Sequence, residues 1–254
     1  MLELKQITKV FNKDTPNPIH ALRNVSLNLG QGEFVVLIGN NGAGKSTLLN
    51  AVAGVFEIDG GQILIDGRDV TGLPEFKRAD LVGRVFQDPK EGVAVTLSLE
   101  ENVSLGLLKG RCPGLGKCVS RSRRRQVANV LGGFGLGLES RLSDMALVLS
   151  GGQRQCLALC MATAIVPKIL LLDEHDESLD PKTANLVMGL TEQIVRSHRI
   201  TTIMVTHNLE RAMHYGDRLL MMVAGEIVLD LRADERKKVG HSELLSFFEE
   251  GTKK

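Results

Sequence analysis

The stretch Gly39-Asn40-Asn41-Gly42-Ala43-Gly44-Lys45-Ser46-Thr47 constrains this chain more than any other. It follows the apolar run Phe34-Val35-Val36-Leu37-Ile38 and precedes Leu48-Leu49-Asn50-Ala51-Val52-Ala53. That order predicts a buried strand, a glycine-rich turn and a helix start. Glycine at 39, 42 and 44 lets the backbone curl tightly, so that successive N–H groups point inward at phosphate oxygens. A helix starting near Lys45 adds the positive end of its dipole at the same point. The Lys45 ammonium can then reach outer phosphates, and the Ser46 hydroxyl can hold Mg²⁺. A chance glycine string would lack the flanking strand and helix. This one has both, so we read it as a phosphate-binding loop.

The 254 residues, 43% of them hydrophobic, are enough for one large or two small domains with a real core. The net charge of +1 gives no support for bulk nucleic-acid binding. The first ten residues include Glu3, Lys5, Gln6 and Lys9, which is not the apolar core of a signal peptide. No apolar run approaches the roughly 20 residues that span a bilayer, so a soluble protein is expected, with any membrane role supplied by a partner. Cys112, Cys118, Cys156 and Cys160 form neither a disulfide framework nor a zinc ribbon. Cys156 and Cys160 read as small buried hydrophobes, which suits a reducing cytoplasm.

Upstream of the loop, residues 1–38 read as strands, with Leu2, Leu4 and Ile7 alternating and a turn-rich loop at 12–18. Phe11 precedes that loop as either a core aromatic or a ring for stacking on a nucleotide base. Residues 60–67 read as a strand and turn. Val85-Phe86 reads as a strand stopped by Asp88-Pro89, which leaves Gln87 at a strand end. Residues 99–108 and 123–131 have helical spacing, and we expect a helical insert over approximately 98–145. The basic run at 109–125 is either a solvated face or a contact for acidic lipid headgroups or a partner protein.

Ser150-Gly151-Gly152-Gln153, ahead of a helix at 156–165, makes a further set of inward N–H groups suited to an anion, or an ordinary helix cap. Ile169-Leu170-Leu171-Leu172 reads as a buried strand ending in Asp173 and Glu174. Carboxylates there are costly unless they bind a cation or do chemistry. Asp173 suits Mg²⁺ through water, and Glu174 suits polarising an attacking water. A helix at 181–196 and a strand at 201–206 follow, and a parallel sheet would bring His207 alongside the carboxylate strand. The tail reads as a hairpin turning at Ala224-Gly225 and a final helix at 242–250.

Taken in order, these pieces resemble the nucleotide-binding subunit of ABC transporters. The resemblance rests on residues 39–47, Gln87 within VFQDP, LSGGQRQ at 149–155, ILLLDE at 169–174, Asp180 within SLD and His207 within VTHN. It covers nearly the whole chain and implies an α/β fold: a P-loop NTPase core with a mostly parallel sheet, an antiparallel β subdomain and a helical insert carrying LSGGQ. One domain over 1–254 is implied, with 1–97 and 146–254 as the core. The family closes two such subunits head to tail around two ATPs. One subunit's phosphate loop (Gly39 to Thr47) and the other's Ser150, Gly151, Gly152 and Gln153 would sandwich the γ-phosphate.

By the same resemblance, Glu174 is the general base, His207 the γ-phosphate sensor, and Gln87 a ligand of Mg²⁺ and water. Ser46 and Asp173 also hold the metal, Phe11 stacks on the base, and Asp180 lies in the loop that communicates across the dimer. The lone cassette looks like a separately encoded importer subunit. It would pair with transmembrane permease subunits and a substrate-binding lipoprotein, at the cytoplasmic face of the plasma membrane, for a small solute such as an amino acid. The other class is a soluble ATPase of the same kind acting on a protein partner. The chain departs from the family at Glu177-Ser178-Leu179-Asp180, where Ser-Ala-Leu-Asp is frequent, and at Phe11, where many members have Tyr.

Overall fold

The computed structural model describes residues 1–110 and 118–236. The expected final helix, Cys112 and the basic residues Arg111 and Lys117 lie outside the described residues. Along the chain run β1 (Leu2–Phe11), β2 (Ile19–Leu29), β3 (Phe34–Ile38), α1 (Lys45–Ala53), β4 (Gly60–Ile65), β5 (Arg68–Asp69) and α2 (Glu75–Arg78). Then come β6 (Val82–Val85), α3 (Leu99–Leu107), α4 (Arg121–Gly132), α5 (Gly151–Thr163), β7 (Ile169–Asp173) and α6 (Pro181–His198). Last are β8 (Thr201–Val205), α7 (Leu209–His214), β9 (Arg218–Val223), β10 (Glu226–Arg232) and α8 (Ala233–Arg236). The chain divides into two compact units, Met1–Arg78 with the described residues from Arg199 onward, and Ala79–His198.

In the first unit, β2-β1-β4-β5 form an antiparallel sheet. Leu2 pairs with Leu29 and Ile65, and Leu4 with Leu27 and Ile63, so one face of the sheet is a layer of buried aliphatic side chains. That is the alternation read from Leu2, Leu4 and Ile7. The same unit holds β3 between β8 and β9, all parallel, with β10 antiparallel on β9. Every residue of β3 and β8 is buried, which is why these strands are apolar without alternation. The hairpin β9–β10 turns at Ala224-Gly225, as expected.

In the second unit, β6 and β7 are parallel, with Val82 opposite Ile169 and Val85 opposite Leu172. The stretch from 98 to 145 carries α3 and α4 among its described residues, and its ends meet. Ser98 bridges Met145, and Leu99 N–H donates to Asp144 O at 2.9 Å. Ser98 and Glu101 form a capping box that starts α3. Buried Asn102 holds the approach to it, accepting from Ala94 N–H and donating to Ala94, Leu97 and Ser98 carbonyls. No helix of the described residues is long and apolar enough to cross a membrane.

Differences from the sequence reading are local. α5 begins at Gly151 rather than 156, because a Ser150–Gln153 capping box starts it before any apolar residue appears. Lys109 is half-buried rather than fully solvated, and burial pushes its amine down to about 8, against the opposing pull of Asp80.

Arg78, unremarked in the sequence, is 1% exposed. Its guanidinium donates to Leu73 O at 2.7 Å, to Ala51 O and Val52 O at 2.9 Å each, and to Thr71 O at 3.0 Å. Ala51 and Val52 are in the last turn of α1, where carbonyls run short of intrahelical donors, and Ala51 O also accepts from Gly54 N–H at 3.2 Å. Arg78→Met should therefore destabilise the protein by about 2–4 kcal/mol. For a chain this long that lowers the thermal midpoint by about 4–16 °C. Arg78→Lys should recover only part, since an ammonium lacks the planar fork. A circular-dichroism melt of Arg78→Met unchanged within 2 °C would contradict this role.

Candidate nucleotide site

The first unit carries the phosphate loop. β3 and β8 are parallel neighbours with Leu37 opposite Val205, so the loop after β3 and His207 after β8 leave the sheet at the same end. Thr206 N–H donates to Leu37 O at 3.2 Å and holds that exit together. Carboxyl ends of parallel strands are where such sheets bind ligands. Gly44 has φ 101°, and a Cβ there would overlap the Ala21 carbonyl oxygen. Ala43 N–H bonds Asn40 O, and Gly225 N–H bonds Ala43 O, which fixes the curl.

Lys45 is only 6% exposed, and its ammonium donates to Gly39 O at 2.7 Å and Asn40 O at 3.2 Å. The charge is thus folded across the concave side of the loop rather than out into water. Asn41, Gly42 and Ser46 are exposed, and Thr47 is half-buried. No side chain caps α1, and its first turn has no acidic residue. A helix start with no acidic residue of its own in the first turn suits an anionic ligand.

Phe11 ends β1, opposite Ile19. Its ring meets Phe56 edge to face, with centroids 5.3 Å apart and planes at 82°. The Lys9 ammonium lies 5.3 Å from the Phe11 centroid and 5.0 Å from that of Phe56. Phe56 and Lys9 were not singled out in the sequence; Phe56 follows the first helix in a loop with no periodicity.

The second unit carries the carboxylates and the capped helix. Gln87 follows β6 and Glu174 follows β7, so both leave one end of that parallel pair. Arg84 lies 3.9 Å from the Asp173 carboxylate, and its guanidinium covers the Phe86 ring at 4.4 Å. Glu174 has φ 45°, a left-handed conformation costly for a residue with a Cβ. Gln87 Nε2 donates to Glu177 Oε2 at 2.6 Å.

Ser150 caps α5 and accepts from Gln153 N–H at 3.2 Å, while Gln153 Oε1 accepts from Ser150 N–H. The first turn of α5 likewise has no acidic residue. Gly151 is exposed, and Gly152 is buried against α6, where a Cβ would overlap Thr183 Cγ2. Thr183 N–H donates to Asp180 Oδ1 at 3.2 Å, which caps α6. The Thr183 hydroxyl, with that amide, holds the Asp180 carboxyl below its ordinary range. Asp180 and Gly152 are therefore linked through Thr183, which gave no signal in the sequence. Gln155 Nε2 donates to Phe86 O at 3.0 Å and ties α5 to the residue before Gln87.

The ABC transporter family model matches residues 22–176, a span that contains the phosphate loop, Gln87, Ser150 to Gln153, Asp173 and Glu174. The chain is 45% identical to a tyrosine transport ATP-binding protein of Clostridioides difficile (strain R20291), over 98% of this chain and 99% of that one. It is 36% identical to the methionine import ATP-binding protein MetN of Rhizobium etli, over 82% of this chain but only 56% of that longer protein. Among solved structures, the ATP-binding cassette MJ0796, dimeric in a post-hydrolysis state bound to ADP and Pi, is 31% identical with a TM-score of 0.78. It matches over 92% of this chain and 99% of its own. With agreement of that extent in sequence and fold, the chain belongs to the ABC transporter family, as an ATP-binding and ATP-hydrolysing subunit.

Proposed function

We propose that this subunit powers the import of an amino acid through a bacterial membrane permease. The observation that carries the reading is the end-to-end 45% identity with a tyrosine transport ATP-binding protein. The methionine import relatives support the same substrate class. A substrate-binding lipoprotein would deliver the cargo. The subunit would sit peripherally on the permease at the cytoplasmic face, with residues 98–145 as its helical subdomain.

Hydrolysis would use two copies head to tail. The curled backbone of residues 39–44, the Lys45 ammonium and the start of α1 bind the phosphates, and Phe11 stacks on the base. The capped start of α5 in the other copy, with Ser150 and Gly151 exposed, supplies N–H donors to the γ-phosphate. Glu174 takes the proton of the attacking water, and His207 senses the γ-phosphate. Ser46, Gln87 and Asp173 would hold Mg²⁺, an all-oxygen set of hydroxyl, amide and carboxylate that fits a hard cation. When bound there, Mg²⁺ would supply charge neutralisation for the transferring phosphoryl group. Asp173 is the committed metal ligand, which leaves Glu174 as the base.

Reconstituted in liposomes with the permease and binding protein encoded beside it, the subunit should drive ATP-dependent accumulation of one labelled amino acid. ATP turnover with no amino-acid uptake would overturn the substrate class. Lys45→Ala should weaken ATP binding about 10- to 150-fold, the worth of a hydrogen bond to a charged group, and calorimetry would measure it. Glu174→Gln should keep ATP affinity and lose about 10²–10⁴ in single-turnover hydrolysis. Asp173→Asn should instead also weaken Mg²⁺-dependent binding. Equal turnover in wild type and Glu174→Gln would remove Glu174 as the base.

A further inference from the structure

We propose that Glu177 is a positioning residue for Gln87, orienting its carboxamide so that Oε1 is the atom presented to metal and water. The inference rests on the reading of Gln87 as an oxygen ligand. Glu177 stands where the family often has serine, on the loop between β7 and α6. Its own N–H donates to Glu174 O at 3.1 Å, so it is held within one turn of the catalytic carboxylate. Its Oε2 accepts from Gln87 Nε2 at 2.6 Å.

An ionised carboxylate only accepts hydrogen bonds. The end of the Gln87 carboxamide that faces Glu177 must therefore be the NH₂, and the carbonyl oxygen is turned to the other side. Gln87 is exposed, and a carboxamide in water rotates between two nearly equivalent orientations, only one of which offers oxygen to a hard cation. The short charge-assisted bond selects that orientation before nucleotide arrives. Serine at 177 has a shorter side chain and no charge, so this device is specific to the acidic residue. It also connects the loop after β6 to the loop that carries Asp180.

The test uses the full chain with Mn²⁺ as the metal. Free Mn²⁺ is read by electron paramagnetic resonance at saturating ATP, and single-turnover hydrolysis is measured alongside. The variants are Gln87→Ala, Glu177→Ala, Glu177→Gln and the Gln87→Ala/Glu177→Ala double. Glu177→Ala should lower both Mn²⁺ affinity and hydrolysis rate by about 3- to 10-fold, with ATP affinity nearly unchanged. Glu177→Gln should stay within about twofold of Glu177→Ala, because a carboxamide at 177 can turn either its oxygen or its NH₂ to Gln87 and so selects neither orientation. The double variant should match Gln87→Ala alone.

If Glu177→Gln restores both to wild-type values, an acceptor-only group is not what orients Gln87 and the proposal is wrong. Additive losses in the double variant would also overturn it. A wild-type Glu177→Ala beside an impaired Gln87→Ala overturns the positioning role and leaves Gln87 as a ligand. A wild-type Gln87→Ala overturns the ligand reading itself, and the proposal with it.

Discussion

Gly44 lies so close to the Ala21 carbonyl that no side chain fits, and that approach fixes where α1 begins. At its other end the same helix delivers its last carbonyls to the buried guanidinium of Arg78. A helix of nine residues, Lys45 to Ala53, is too short to be stable alone. Held at both ends, it keeps a first turn that no side chain caps. The position of Lys45 follows from the same geometry, since its ammonium can reach the Gly39 and Asn40 carbonyls only while the loop stays curled.

The second unit solves a similar problem with different parts. The start of α5 is held by the Ser150–Gln153 capping box and by close packing of Gly152 on Thr183. Thr183 is fixed in turn by Asp180. The loop from Glu174 to Asp180 thus carries a strained backbone at one end and a helix cap at the other, with Glu177 bonded to Gln87 between them. Backbone strain at Glu174 persists because β7 and α6 on either side are well packed.

Much of this was legible in the sequence, where the signal was local. The buried strands read as apolar runs, the loop after β3 as a glycine-rich turn opening a helix, and Ser150 as a helix cap, and the structure has all three. Arg78, Thr183 and Phe56 were not legible, because each has a partner distant in sequence, Ala51 and Val52, Gly152 and Phe11 respectively, and none breaks a local pattern. The start of α5 was missed for a related reason: a capping box defines it, while hydrophobic periodicity begins several residues later. Lys109 shows the limit of reading charge as exposure, since the half-burial that lowers its amine leaves no mark in the sequence.

The central claim is that the phosphate loop of one copy and the start of α5 in another enclose the same nucleotide. Light scattering on Glu174→Gln, with and without millimolar ATP and Mg²⁺, tests it most directly. The account predicts the mass of one chain without nucleotide and of two chains with it. Replacing Ser150 with a bulky acidic residue in the same background should abolish the shift. A protein that keeps the mass of one chain at millimolar ATP and Mg²⁺ would contradict the account.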